Sequence, residues 1–291
     1  MQAAYIICAH QRPDLVSRLV RSLGTSPVAI HIDRKSDMFE TVRSGLRDLP
    51  NVTFLRRHVC HWGLFGHVRA SLEGLAWFLE TSSSHACLLT GQCYPLKPPA
   101  EIEKELAALD GRSLLEFEAF PKTAWLGWER GGYRRLERFY FRFGRRVPPR
   151  SVGLWKRKPP LGLDPHGGAS YWCLSRSCAA YATAFLRSHP RVLRFFSSTF
   201  VPDEMIFQTI LANSPHRHEL INAAIHYTYW QPRSSHPSVL TADRLPEVMA
   251  SGAWFARKFD DHAVLDLVDA YRRRENASFP DAPWRRQTSA A

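Results

Sequence analysis

Two adjacent carboxylates, Asp203 and Glu204, stand between Pro202 and an apolar pattern of Met205, Ile206, Ile210 and Leu211. A carboxylate fixed at such a place can take the proton from an attacking hydroxyl, the general-base part of a group transfer. The plainer reading is a helix cap. Pro202 suits a first helical turn, where its missing N–H costs nothing, and acidic residues there suit the positive end of the helix dipole, which favours the ionised form. Consecutive helical residues point about 100° apart, so only one of the pair faces a crevice. A second acid, Asp33, closes the apolar run Val28-Ala29-Ile30-His31-Ile32. Residues at the carboxyl ends of strands in an open parallel sheet line the ligand crevice, although an Asp there equally serves as a turn former. Lys258 lies among Trp254, Phe255 and Phe259, company that buries its stem and leaves the ammonium as a point charge.

The elements that position these groups read as alternating β and α. Ala3 to His10 is a short buried strand, followed by a helix from Leu15 to Leu23 and then the strand that ends at Asp33. Val52-Thr53-Phe54-Leu55 is a third strand. Trp62-Gly63-Leu64-Phe65-Gly66 opens a helical pattern through Leu79, and its two glycines are a weak signal for backbone N–H groups that approach an anion. Ala86 to Leu96 is a buried strand that breaks at Gly91, a helix runs from about Pro99 to Leu109, and Leu114 to Glu118 is a strand delivering Glu118. This rhythm predicts an α/β fold with a mostly parallel central sheet. It is interrupted by a basic flap or insertion around 130–165. A strand over Gly167–Ser175, a helix over Cys178–Leu186, the Asp203–Glu204 stretch and a late strand over Ile221–Trp230 follow. The reading gives a single domain over 1–272 and a basic, poorly ordered tail over 273–291.

Composition bounds the partners. The chain has 291 residues, 45% hydrophobic and 12% aromatic, which belongs to a globular protein and not a disordered one. A net charge of +12 predicts attraction to phosphates, whether of nucleic acid, anionic lipid or a nucleotide. Six cysteines in no CxxC or zinc-ligand spacing read as reduced core residues. No signal-like or roughly 18-residue apolar run occurs, so the expectation is a cytoplasmic protein, peripheral at the inner membrane face through its basic surface.

Seven segments in order carry a resemblance: His31-Ile32-Asp33-Arg34-Lys35-Ser36, Trp62-Gly63, Leu88-Leu89-Thr90-Gly91-Gln92-Cys93-Tyr94-Pro95-Leu96, Gly168-Ala169-Ser170-Tyr171-Trp172, Val201-Pro202-Asp203-Glu204, Trp230 with His236-Pro237, and Phe255-Ala256-Arg257-Lys258-Phe259. Over roughly residues 4–262 the chain resembles the core-2/I-branching glycosyltransferase family, which includes β-1,6-N-acetylglucosaminyltransferases and peptide O-xylosyltransferases. The resemblance implies a GT-A type nucleotide-sugar-binding fold and inverting transfer from a UDP-sugar to a carbohydrate hydroxyl, with no cofactor and no divalent metal. In keeping with that, no Asp is followed two positions later by another Asp, so the metal-holding DxD is absent.

By the same resemblance Glu204 is the catalytic base, Lys258 neutralises the departing diphosphate and Asp33 contacts the uridine. Glu118 and Trp230 hold the acceptor, with Arg134 of the basic stretch beside them. A second diphosphate arginine has three candidates, Arg233, Arg244 and Arg257, of which Arg257 adjoins Lys258. Cys93 departs from the family, which often has Asp there. UDP-N-acetylglucosamine stands first among donors and UDP-xylose second. A basic RNA-binding protein is the reading from another class, weakened by the lack of an RNP1-like motif, a KH loop or a zinc site, and a catalytically dead lectin-like relative is disfavoured by the presence of both Glu204 and Lys258.

Overall fold

The computed structural model describes residues 2–127, 129–142, 149–153, 156–231, 234, 236–274 and 279–288. Its first half is a run of βα units: β1 (Ala3–Ala9), α1 (Pro13–Ser22), β2 (Val28–Ile32), α2 (Phe39–Gly45), β3 (Val52–Phe54), α3 (Gly66–Glu80) and β4 (His85–Thr90). Next come β5 (Tyr94–Pro95), α4 (Pro99–Ala108), β6 (Ser113–Leu114), β7 (Glu118–Ala119), α5 (Tyr133–Glu137), β8 (Phe139–Phe141), β9 (Arg150–Val152), β10 (His166–Gly167) and β11 (Cys173–Ser175). The rest comprises α6 (Arg176–Ser188), α7 (Pro190–Phe196), α8 (Ile206–Ala212), β12 (Leu220–Ile221), β13 (His226–Thr228), α9 (Leu245–Ala250), β14 (Phe255–Arg257), α10 (His262–Arg272) and α11 (Pro283–Thr288).

Among the described residues the central sheet has seven strands in the order β12-β6-β11-β4-β1-β2-β3. Only β11 runs against the others, pairing antiparallel with both β4 and β6. β1 is buried along its whole length, as a strand covered on both faces must be, and its apolar sequence satisfies that demand. One face packs on α1, α4, α9 and α10 through Leu15, Ile102, Val248 and Leu265. The other packs on α3, α6, α7 and α8 through Phe78, Ala182, Phe196 and Ile210. Because β1 lies between β2 and β4, the winding reverses there, and the carboxyl ends of these strands frame a crevice. A small sheet, β13-β14-β5, adds to that edge.

The α/β fold expected from the rhythm is present, with local corrections. Leu114–Glu118 is not one strand: β6 belongs to the central sheet, whereas β7 pairs with β10. The late strand is likewise two, β12 and β13, in different sheets. Period-2 patterns could not reveal where the chain leaves one sheet for another. Gly63 and Gly66 serve close packing: a Cβ at Gly63 would meet the Phe200 ring at 2.5 Å and one at Gly66 the Val59 carbonyl oxygen at 2.4 Å.

Two expectations about the basic regions are also revised. Within 130–165 the described part includes α5 and the β8–β9 hairpin, and some of its arginines are spent inside the fold. Arg157 lies over Phe139 and Phe195, 4.2 and 4.3 Å from the ring centres, and donates to the Phe195 carbonyl at 2.6 Å. Arg145 and Arg146 lie outside the described residues. The tail over 273–291 holds α11, and Ala282 and Trp284 are buried in the core at 2% and 4% exposure, because the indole has an apolar site that outweighs the local polarity of the segment. All six cysteines are buried and unbridged, as expected. No helix among the described residues is long and apolar enough to cross a membrane. Truncating Trp284 to Ala is expected to cost about 3–5 kcal/mol, read as a lowered urea midpoint; a change below about 0.5 kcal/mol would show that the helix contributes nothing to the core.

Candidate active site

Glu204 is built into the carboxyl edge by backbone before side chain. Pro202–Glu204 form a 3₁₀ turn, and α8 begins only at Ile206, with Met205 (φ −139°) breaking the helical path between them. The expectation that Asp203 and Glu204 occupy the first turn of an α-helix is therefore corrected. The turn is entered through Val201 at φ 50°, ψ 56°, a left-handed conformation that costs a β-branched residue about 1–3 kcal/mol. Two backbone hydrogen bonds hold it: Val201 N donates to the Gly63 carbonyl at 2.9 Å, and Gly168 N donates to the Glu204 carbonyl at 3.0 Å. Gly168 admits no side chain, since a Cβ would stand 1.8 Å from the Glu116 carbonyl oxygen.

The Glu204 carboxylate accepts from Arg135 Nη1 at 2.5 Å. Arg135 is buried, lies over the Trp125 ring at 3.9 Å, and gives its Nε and Nη2 to Glu129 at 2.8 and 3.0 Å. Burial pushes the Glu204 pKa up to about 7; the Arg135 charge pulls it back, and the neighbouring Asp203 adds to the rise. The dipole argument predicted a readily ionised carboxylate, and this part of the expectation is reversed because desolvation outweighs a single 3₁₀ turn. A carboxylate poised near neutrality is well matched to general-base work. Asp203 accepts from Ser170 Oγ at 2.9 Å and bears electrostatically on Cys8, Cys60 and Tyr171, so it also faces the edge.

Asp33 sits at the end of β2, 4% exposed. Its Oδ1 accepts the Lys35 backbone N–H and its Oδ2 pairs with Lys35 Nζ, both at 2.9 Å. Burial raises the pKa of this acid, but the Lys35 hydrogen bonds and charge outweigh it and the net shift is downward. Lys258 follows β14 directly, seated by a Leu240 N–H on its own carbonyl (2.8 Å) and by Phe259 N on the Gln92 carbonyl (3.0 Å). Trp254, Phe255 and Phe259 beside it are buried, as its neighbours in the sequence implied. Among the described residues Lys258 has no ion-pair partner. His10, exposed just past the end of β1, relates these groups to one another: partial desolvation depresses its pKa, and the charges of His67, Asp33, Lys35 and Lys258 all act on it. Asp33 and Lys258, 225 positions apart in the chain, therefore both lie within electrostatic reach of one ring.

The other expected residues are placed less directly. Arg257 lies 4.7 Å over the Tyr171 ring, its Nε buried with no hydrogen-bond partner among the described residues. Arg244 pairs with Glu247 and lies over Tyr229, and Arg233 is outside the described residues. Glu118 on β7 pairs with Gly167, one residue from the Gly168 that holds Glu204. Its carboxylate accepts Thr123 N at 2.7 Å and pairs with Lys122, which also binds Glu116. Trp230 is 50% exposed and so is no core residue. Arg134 lies on α5, but it is the next residue, Arg135, that reaches Glu204. Arg135, Glu129, Lys35 and His10 were missed; nothing in a basic run marks which arginine will turn inward.

A model of the core-2/I-branching enzyme family matches residues 3–249. The chain belongs to that family. Similar proteins include the xylosyltransferase oxt of Drosophila pseudoobscura, 23% identical over 81% of this chain and 29% of that protein. The mouse β-1,3-galactosyl-O-glycosyl-glycoprotein β-1,6-N-acetylglucosaminyltransferase 4 is 27% identical over 72% of this chain and 46% of its own, and the Arabidopsis thaliana β-glucuronosyltransferase GlcAT14A is 28% identical over 66% and 42%. The chain spans less than half the length of these relatives. Among solved structures, S. aureus TarS 1–349 in complex with UDP aligns with a TM-score of 0.30 and 16% identity, over 40% of this chain and 35% of that one. The α/β fold and its mostly parallel sheet agree with what membership of the core-2/I-branching family implies.

Arg135 opposes the rise in the Glu204 pKa, so Arg135→Lys, which keeps charge but loses the fork, is expected to move the acid limb of the pH–rate profile upward from about 7. The sign follows from the role: a base must be ionised, so rate is lost as pH falls through its pKa. A limb that stays in place would separate Arg135 from the base.

Proposed function

We propose that this protein is an inverting, metal-independent glycosyltransferase that moves N-acetylglucosamine from UDP-N-acetylglucosamine to a carbohydrate hydroxyl. The observation that carries the reading is the Glu204 carboxylate, paired with Arg135 and poised near neutrality on the same sheet edge as Asp33 and Lys258. Family membership supports the reaction class. In the proposed step the acceptor oxygen attacks the anomeric carbon from the face opposite the diphosphate, its proton passes to Glu204, and the bond to the β-phosphate oxygen breaks. Lys258 offsets the charge that develops on the departing diphosphate, Asp33 holds the nucleoside, and Glu118 and Trp230 receive the acceptor, Trp230 through a flat apolar ring face that packs on sugar C–H groups. The absence of a DxD and the free ammonium of Lys258 favour charge neutralisation without a metal ion.

A second donor, UDP-xylose, is favoured by the similarity to xylosyltransferase oxt. Thermal protection by a panel of UDP-N-acetylglucosamine, UDP-xylose and UDP-glucuronic acid separates the donors, since the sugar that binds best raises Tm most at equal concentration.

Glu204→Gln is expected to lower transfer by at least about 10²-fold while leaving UDP affinity within about twofold, measured as product formation and as calorimetric binding. Unchanged turnover would remove Glu204 from the chemistry. Lys258→Ala is expected to weaken UDP binding, and turnover is expected to persist in excess EDTA below the unfolding temperature. Strict dependence on manganese would sink the metal-free account, and salt-steep RNA binding with no UDP-sugar affinity would overturn the enzyme reading altogether.

A further inference from the structure

One group of side chains away from the crevice has ligand chemistry that the transfer reaction does not use. Cys178, in the first turn of α6, faces His216 and Glu219 of the 3₁₀ turn Pro215–Glu219, and one ligand atom from each lies within 4.8 Å of the others. Glu219 stands between its neighbours: Oε1 is 2.6 Å from His216 Nδ1 and Oε2 is 3.8 Å from Cys178 Sγ.

We propose that Cys178, His216 and Glu219 form a zinc site that ties α6 to the segment leading into β12. A thiolate, an imidazole and a carboxylate make a mixed donor set that suits Zn²⁺ and does not suit the oxygen-seeking Mg²⁺ or Ca²⁺. Tetrahedral ligands bound at about 2.0–2.3 Å stand about 3.3–3.8 Å apart. The sulfur–carboxylate spacing already meets that range, and the His216–Glu219 contact opens by about 1 Å to admit the ion. Ser177 Oγ donates to Glu219 Oε2 at 2.5 Å and orients the carboxylate from behind. His216 and Glu219 keep 27% and 23% side-chain exposure, which gives the ion a way in and leaves the fourth position to water. On binding, a sulfur–zinc bond forms and the Cys178 thiol proton is released to solvent, with no change of oxidation state. Burial, with the charge of Glu219, holds the Cys178 thiol above its usual value, so the thiolate would form only with the charge of the bound ion beside it.

The site sits on the edge opposite Glu204. β4 begins at His85, which pairs with Ser175 at the end of β11, and β12 begins at Leu220, which pairs with Ser113. Cys178 and the 215–219 turn therefore flank the starts of the parallel strands, whereas Glu204, Asp33 and Lys258 lie at their ends. The role is structural, and it is independent of the transfer reaction.

The test is a Co²⁺ titration of the full chain after chelator treatment, followed by absorbance. One equivalent is expected to bind with thiolate-to-cobalt charge-transfer absorption in the near ultraviolet, and Zn²⁺ is expected to displace it and raise Tm. Cys178→Ser should abolish the absorption. His216→Ala and Glu219→Gln, both on a part-exposed turn that tolerates change, should weaken cobalt binding about tenfold or more while far-ultraviolet circular dichroism stays that of the wild type. UDP binding, if present, should not differ among the four proteins. No charge-transfer absorption in the wild type at about tenfold excess cobalt, or undiminished absorption in Cys178→Ser, overturns the site. Cobalt affinity unchanged in both turn variants overturns it equally.

Discussion

A half-buried carboxylate facing a buried guanidinium is the contact on which the carboxyl edge depends. Taking Glu204 out of water disfavours its charge, and one fully committed arginine would restore it. Arg135 is not fully committed: it also serves Glu129, so its field is divided between two acids. Trp125 covers one face of the guanidinium and keeps water from softening the arrangement. The balance leaves Glu204 near neutrality, ionised often enough to accept a proton and basic enough to want one. An isolated surface glutamate would be ionised more completely and would be the weaker base.

Such a balance survives only if the backbone cannot drift. Val201 is held in a conformation its branched side chain resists, and the surrounding turns over-determine it: Gly63 accepts from one end of the 3₁₀ turn and Gly168 donates to the other. Gly63 is closed in by the Phe200 ring, and Gly168 by the Glu116 carbonyl. Strand β7, carrying Glu118, is tied to the same point through β10. Placement of the base and placement of its surroundings are thus one packing problem.

The sheet does the corresponding work on the other side. Asp33 follows β2 of the central sheet and Lys258 follows β14 of the small sheet, and both come within reach of His10 because both lie at the carboxyl edge. Their settings differ. Asp33 is neutralised by Lys35, two residues further along the chain, whereas Lys258 reaches the edge with an apolar stem and no internal counter-ion among the described residues. A charge kept without an internal partner is available to an external anion, as the proposed role of Lys258 requires.

The sequence by itself determined the α/β rhythm, the strand that delivers Asp33, and the Pro-Asp-Glu stretch, because each is written in contiguous residues: apolar runs of strand length, 3.6-residue periodicity, and residues whose backbone preferences are local. It also determined the family, since seven short segments in one order are a linear property. What only the tertiary structure decided is everything that depends on residues distant along the chain. The 3₁₀ geometry of Pro202–Glu204 follows from clamps at Gly63 and Gly168, the basicity of Glu204 from burial and from Arg135 in place of its neighbour Arg134, and the fate of the tail from an apolar site waiting for Trp284. The Cys178, His216 and Glu219 group was equally invisible, because its ligands come from segments about 40 positions apart that sheet order alone brings together. Burial and long-range charge are sums over space, and no window along a chain contains them.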